Sequence, residues 1–201
     1  MNNNSKPSES HGLTKEVEKV RSKNIDSKII TFQHAELISK WIDKLEVKDK
    51  IKNSYEFKLI HSESCDGFAS EKFHEICNNV SHTVSIIKVK GSNEILGGYN
   101  PIEWKSDADW SSTKDSFIFS FKNSDRIENW ILSRVVDENY AIYNGDGPSF
   151  GYDFFLSWVG FCTSFCGKDS YEIPIRESND AFSVQDYEVF QIIKIKVQKF
   201  F

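Results

Sequence analysis

Hydrophobic positions along the chain follow two different periods. "HAELISKWIDKL" spaces Leu37, Ile38, Trp41, Ile42 and Leu45 at helical intervals, with Glu36, Lys40, Asp43 and Lys44 between them. This places the apolar side chains on one face and predicts a helix near 34–45. "SYEFKLI" then alternates Tyr55, Phe57 and Leu59 with Ser54, Glu56 and Lys58, the period of a strand with one buried side. A second short helix follows near 70–78 and would bury Phe73, Ile76 and Cys77.

From there strand patterns take over: "TVSIIKVK", "EILGGY", "SFIFSF", "WILSRVV", "YAIY", "FFLSWVGF" and "YEVFQIIKIKV". In "SFIFSF", Phe117, Phe119 and Phe121 point one way and Ser116 and Ser120 the other, which suits an antiparallel sheet with one polar face. The last strand carries Tyr187, Val189, Ile193, Ile195 and Val197 on one face. No strand–helix rhythm accompanies these segments, so a parallel, doubly wound sheet is not expected. The fold class predicted is mainly β (α+β): a two-sheet antiparallel β-sandwich flanked by short helices.

Residues 1–28 are largely Asn, Ser, Lys and Glu. They offer too little apolar surface to offset the entropy of ordering, so a disordered polar tail over 1–28 and a folded domain over 29–201 are expected. A length of 201 residues fits one such domain. The 16 Phe, 7 Tyr and 5 Trp supply its core. A net charge of −5 argues against a nucleic-acid partner. The sequence holds no apolar run of the roughly 20 residues that cross a bilayer and no leader-like start, so a soluble cytoplasmic chain without membrane insertion is expected. Cys65, Cys77, Cys162 and Cys166 are expected as free thiols in that compartment.

Two glycine-bearing stretches ask for an explanation. In "ILGGYNPIEW", Ile95 to Trp104, a dinucleotide loop would need Gly97 and Gly98 to lead directly into a helix, but Pro101 follows and biases Asn100 away from helical angles. The glycines therefore mark a bulge or a close backbone approach, with a turn at Asn100–Pro101. In "GDGPSFG", Gly147, Pro148 and Gly151 shape a rigid exposed loop that is either a recognition loop or a connector. Ser149 lacks the surroundings of a nucleophile elbow.

"HSESCDGF" groups His61, Ser64, Cys65 and Asp66, but catalytic partners meet in space, and Asp66–Gly67 suits a turn between strand and helix. His74 and Cys77 stand three apart on the second helix. Without two further ligands they suit a packed histidine and a buried thiol better than a metal site. Asp107 and Asp109 suit a solvated loop. The Walker spacing fails before Gly167–Lys168, where Cys162 replaces the required glycine. No cofactor or metal is expected, and no motif requires an enzyme.

Taken in order and spacing, "FKLIHSESCDGFASEKFHEICNN", "TVSIIKVK", "EILGGYNPIEWKS", "DSFIFSF", "GPSFG" and "YEVFQI" resemble the TLDc (TLD) domain of oxidation resistance proteins and nuclear receptor coactivator 7, from about Ile29 to Ile193. The resemblance implies a two-sheet antiparallel sandwich with flanking helices and no established catalytic centre. It also implies a protein-binding role in oxidative-stress protection, with the cytosolic sector of the vacuolar proton ATPase as partner. The family-motif positions, with an interaction or structural role, are Asp66, Gly67, Phe68, Phe73, His74, Gly97, Gly98, Tyr99, Pro101, Trp104, Gly147, Pro148, Ser149, Phe150, Gly151, Glu188 and Phe190.

"IDSKIITFQHAELISKWIDKL" is further similar to the opening of TLDc domains in fungal proteins with a preceding BTB domain, and a chain without that domain is expected. Cys65 stands where such relatives carry a basic residue, and Tyr152, Asp153 and Phe154 stand where the family commonly shows Asp-Leu. Two other classes of function remain open: an enzyme of unrecognised type using Cys65, His61 or His74, and a remnant of a BTB ubiquitin-ligase adaptor.

Overall fold

The computed structural model describes residues 25–64, 70–122, 129–145, 147–157 and 163–195. Helix α1, Phe32–Ile42, begins where His34 reaches back to its cap: the Thr31 amide donates to His34 Nδ1 at 3.1 Å. It stops three residues short of Leu45. Lys44 takes a left-handed φ of 56°, Leu45 N closes on Lys40 O at 2.9 Å, and Arg134 Nη2 donates to Trp41 O at 3.0 Å. These donors satisfy carbonyls that a helix end leaves without intrahelical partners. Helix α2, Ser70–Cys77, ends against the carbonyl of Trp104, which accepts the Asn79 amide at 3.0 Å.

The strands are β1 Ser54–Ser64, β2 Thr83–Val89, β3 Ile95–Asn100, β4 Trp110–Ser111, β5 Phe117–Phe121, β6 Trp130–Arg134, β7 Ile142–Tyr143, β8 Ser149–Phe150, β9 Phe154–Ser157, β10 Thr163–Cys166 and β11 Phe182–Ile195. All their pairings are antiparallel, as the alternating pattern predicts. The first sheet runs β1-β11-β2-β3-β5-β6 and the second β4-β7-β8-β9-β10, with the start of β11 pairing β10. The long strand β11 thus belongs to both sheets and joins them.

Two apolar layers result. Between the sheets, Ile87, Leu96, Ile118, Tyr187 and Val189 meet Ile142, Phe150, Phe154 and Leu156, and Phe73 and Cys77 of α2 close one end. On the other side of the first sheet, Val84, Ile86, Phe117, Phe119, Phe121, Phe190 and Ile192 pack under α1. Trp41 is 2% exposed there, with Phe121 at 5.7 Å, Phe119 at 5.4 Å and Trp130 at 5.5 Å between ring centroids. Removing such a ring costs about 3–5 kcal/mol.

The second layer corrects two expectations. Strand β5 has no polar solvent face: Ile118, Ser116 and Ser120 are as buried as the phenylalanines. Hydroxyls tolerate burial when bonded, and Ser116 Oγ donates to Tyr99 O at 2.8 Å and lies 2.8 Å from Tyr171 Oη. Strand β11 is likewise two-faced: Tyr187 and Val189 point into one layer, Phe190 and Ile192 into the other, and Ile193 is 38% exposed. Val197 lies outside the described residues.

At the end of the segment expected as a tail, two residues bond the first sheet. Ser27 Oγ donates to Glu188 Oε2 at 2.6 Å and Lys28 N to Glu188 Oε1 at 2.8 Å. Residues 1–24 lie outside the described residues.

Candidate interaction surface

The glycine pair sits in the middle of β3, paired in continuous register with β2 and β5. There is no bulge, and close approach is what the sequence signalled. A Cβ on Gly98 would lie 2.5 Å from Cε2 and Cζ of Phe150, and one on Gly97 would meet the Phe119 ring and lie 2.7 Å from Ser85 O. The two absent side chains let one ring fold over each face of the strand. The turn follows at Asn100, whose Oδ1 accepts the Ile102 amide at 3.0 Å beside Pro101.

Trp104 is the deepest residue of the next segment. Its Nε1 donates to Thr83 Oγ1 at 2.7 Å, and its ring meets Phe73 at 5.2 Å and Phe150 at 5.8 Å, both edge-on. Tyr99 faces the opposite layer, stacked on Phe117 at 5.1 Å with its hydroxyl 2.9 Å from His82 Nδ1. Burial and the carboxylates of Asp115 and Asp43 push that phenol up to about 12.

The "GPSFG" segment corrects the expected exposed loop. Gly147, Pro148, Ser149, Phe150 and Gly151 are all buried, and Ser149–Phe150 forms β8. Phe150 is a core residue and no contact surface for a partner, because it fills the space over Gly98. Gly151 turns at φ 61° to deliver Asp153, which the sequence marked only as part of a departure from the family pattern. The buried carboxylate of Asp153 accepts the amides of Asp169 at 2.8 Å, Ser170 at 2.7 Å and Tyr171 at 3.1 Å. Burial raises its pKa against the pull of those three donors. Its effect is to pin the 169–171 loop under the second sheet.

The titratable candidates do not converge. His74 bonds Gly145 O through Nε2 and lies 3.0 Å from Asn78 Oδ1 through Nδ1, tying α2 to the loop after β7. Neighbouring Cys77 is fully buried, and burial pushes its thiol up to about 12. Cys166 is raised to about 12 for the same reason. A thiolate is the reactive form of cysteine, so neither is a nucleophile at neutral pH.

His61 follows a bulge in β1 at Ile60, which turns it to the inter-sheet side opposite Val189. It sits 3.5 Å from Glu63 Oε2 and its pKa is lowered, mainly by burial. Cys65, Asp66, Gly67 and Phe68 lie outside the described residues, as does Cys162. Among the described residues, no group of three or more His, Cys, Asp or Glu could hold a metal ion. Glu188 is fully buried and Phe190 is in the helix-covered layer, so both serve the frame.

What the core motifs leave outside is a row that sequence reasoning missed. Cross-strand pairing sets Trp110 opposite Tyr143, Tyr143 opposite Ser149, Ser149 opposite Phe155, and Phe155 opposite Phe165. Their neighbours Ile142, Phe150, Phe154 and Cys166 point into the inter-sheet core. Alternation therefore turns the whole row to the outside of the second sheet. Phe155 and Phe165 stack at 5.3 Å. Trp110 gathers Tyr143 at 5.0 Å, Tyr140 at 5.2 Å and Tyr152 at 5.3 Å, the last two 47% and 64% exposed. Rigid aromatic rings at a surface are the commonest anchors of protein contacts.

No helix of the described residues is long and apolar enough to cross a membrane. No curated protein matches the chain. Residues 23–193 match the family model of the TLDc domain, which spans both sheets and both helices and begins just before the segment pinned by Glu188. The chain belongs to the TLDc domain family.

Proposed function

We propose that this TLDc domain is a non-enzymatic protein-interaction module serving oxidative-stress protection, and that it acts by binding a cytosolic assembly such as the vacuolar proton ATPase. The link to oxidation resistance comes from the family. Fold alone does not choose a partner. The observation that favours binding is the outward aromatic row of the second sheet, with Tyr152 64% exposed beside Trp110. A frame whose motif residues are spent on packing, with rings displayed on one face, is built to be held against another surface.

The test is affinity capture from cell lysate with the full chain, read by mass spectrometry. Subunits of the pump's soluble sector are expected, and Tyr152→Ala should reduce their recovery without changing the melting temperature. Recovery of no pump subunit would remove that target. Measured turnover abolished by Cys65→Ser or His74→Ala would replace the binding module by an enzyme.

A further inference from the structure

We propose that the outer face of the second sheet docks an arginine-bearing segment of a partner protein. This rests on the domain being an interaction module and names the chemistry it takes. The rings of Trp110, Tyr140, Tyr143 and Tyr152 form a continuous group with centroids 5.0 to 5.3 Å from that of Trp110.

Carboxylates border this group. Asp109 precedes Trp110, Asp107 lies two residues further back, and Asp137 and Glu138 lead the short 3-10 turn that ends at Tyr140. That turn is held beside β4 by Thr113 N donating to Glu138 O at 3.1 Å. Asp169 lies on the loop anchored to Asp153, next to Tyr152. All five of these acids are exposed. Exposed Glu103 adds a sixth acid, and the lysines of the same border are Lys105, 4.0 Å from Asp107, and Lys168, giving −6 + 2 = −4.

Ring faces attract cations, and a carboxylate rim adds long-range attraction of the same sign. Arginine suits the site better than lysine. Its planar guanidinium stacks on an aromatic face, is weakly hydrated, and donates in a fork that matches a carboxylate. Among the described residues, the chain's own cation–ring contacts lie elsewhere: Arg134 on Phe117, Arg176 on Phe182 and Lys194 on Tyr55. Beside Trp110 a depression of about 520 Å³, lined by Ile102, Glu103, Lys105 and Ser112, continues the surface and gives room for residues flanking the arginine. The same acidic rim repels phosphate backbones, anionic lipid and acidic peptides.

The experiment titrates the full chain with an acetylated, amidated Gly-Arg repeat peptide of ten residues and follows the Trp110 indole by NMR. Gly-Lys and Gly-Glu repeats of equal length serve as comparisons. The expected result is a saturable Trp110 shift with Gly-Arg, weaker binding of Gly-Lys and none of Gly-Glu. Tyr152→Ala should weaken Gly-Arg binding about 3- to 30-fold, the span of an exposed to a partly desolvated cation–ring contact, and Asp109→Asn with Glu138→Gln should weaken it further. No Trp110 shift, equal binding of the acidic repeat, or an unchanged affinity for Tyr152→Ala would overturn the proposal. If Gly-Arg binds as expected but no pump subunit is captured, the docking site stands and the pump target falls. If pump subunits are captured equally by parent and Tyr152→Ala and Gly-Arg fails to bind, the module stands and the docking site falls.

Discussion

Replacing Gly98 by alanine adds one methyl group in the centre of β3, and the structure sets its cost. That Cβ would lie 2.5 Å from two carbons of the Phe150 ring and 2.7 Å from a third. Ordinary carbon–carbon contact begins near about 3.5 Å, so the ring must retreat by about 1 Å. It has little room to do so, being fully buried, stacked on Phe154 at 5.9 Å and held edge-on by Trp104 at 5.8 Å. Overpacking of this kind costs about 1–3 kcal/mol. For a chain of this size that lowers the melting temperature by about 2 to 12 °C.

Urea and thermal unfolding followed by circular dichroism would measure the change, and a double-mutant cycle isolates the cause. Phe150→Leu removes the ring edge, so Gly98→Ala should cost less in that background, with a coupling of about 0.5 kcal/mol or more. Gly97→Ala is the control: its Cβ would lie 2.7 Å from the backbone oxygen of Ser85, which Phe150→Leu does not move. A Gly98→Ala variant within about 0.5 kcal/mol of the parent, or one equally costly in both backgrounds, would refute the packing argument.

The two buried histidines should make stability fall with acid. Burial lowers the pKa of His34 and His61 below 6.5, so as pH falls from about 7 through their folded values the unfolded chain takes up protons that the folded chain does not. Urea melts should therefore show lower stability at pH 5.5 than at 7.5, and His34→Gln, whose amide oxygen can replace Nδ1 as acceptor for the Thr31 amide, should lose less. An equal loss in that variant would remove His34 from the account. Cys77 and Cys166, both raised to about 12, should ionise to only about one part in ten thousand at pH 8. Peptide mapping after iodoacetamide should find both unmodified in the folded protein and modified in denaturant, and labelling of folded protein at the rate of a free thiol would show that burial does not protect them.

Period and composition carried the architecture. The helix that carries Trp41, the alternation in β1 and the strands β2, β3, β5, β6 and β11 each state their form over five or more residues, long enough for a period to repeat. What they could not state was how many sides of a strand are buried. Ser116 and Ser120 look like a solvent face, but they are small residues inside a three-layer molecule: the Tyr99 carbonyl and the Tyr171 phenol answer the Ser116 hydroxyl, while Ser120 is buried by its small size alone. The role of Glu188 was hidden in the same way. Nothing in "DYEVF" separates the buried Glu188 from Asp186, yet the Glu188 carboxylate is the acceptor that holds Ser27 and Lys28 against the first sheet.

The candidate surface was illegible for a different reason. Its rings come from β4, β7, β9 and β10, which have 2, 2, 4 and 4 residues, and from two turns. No period can declare itself in two residues, so nothing in "DWSS" or "IYNG" says that Trp110 and Tyr143 share a face; only the pairing register does. The core motifs were conspicuous because packing constrains them at fixed spacing, as Gly98 is constrained by Phe150. A contact face is under no such local rule, since its geometry is supplied by a frame whose parts lie far apart in the chain. That is why Phe150 drew attention as a contact residue and proved to be core, while Tyr152, two residues on and 64% exposed, is where a partner could be held.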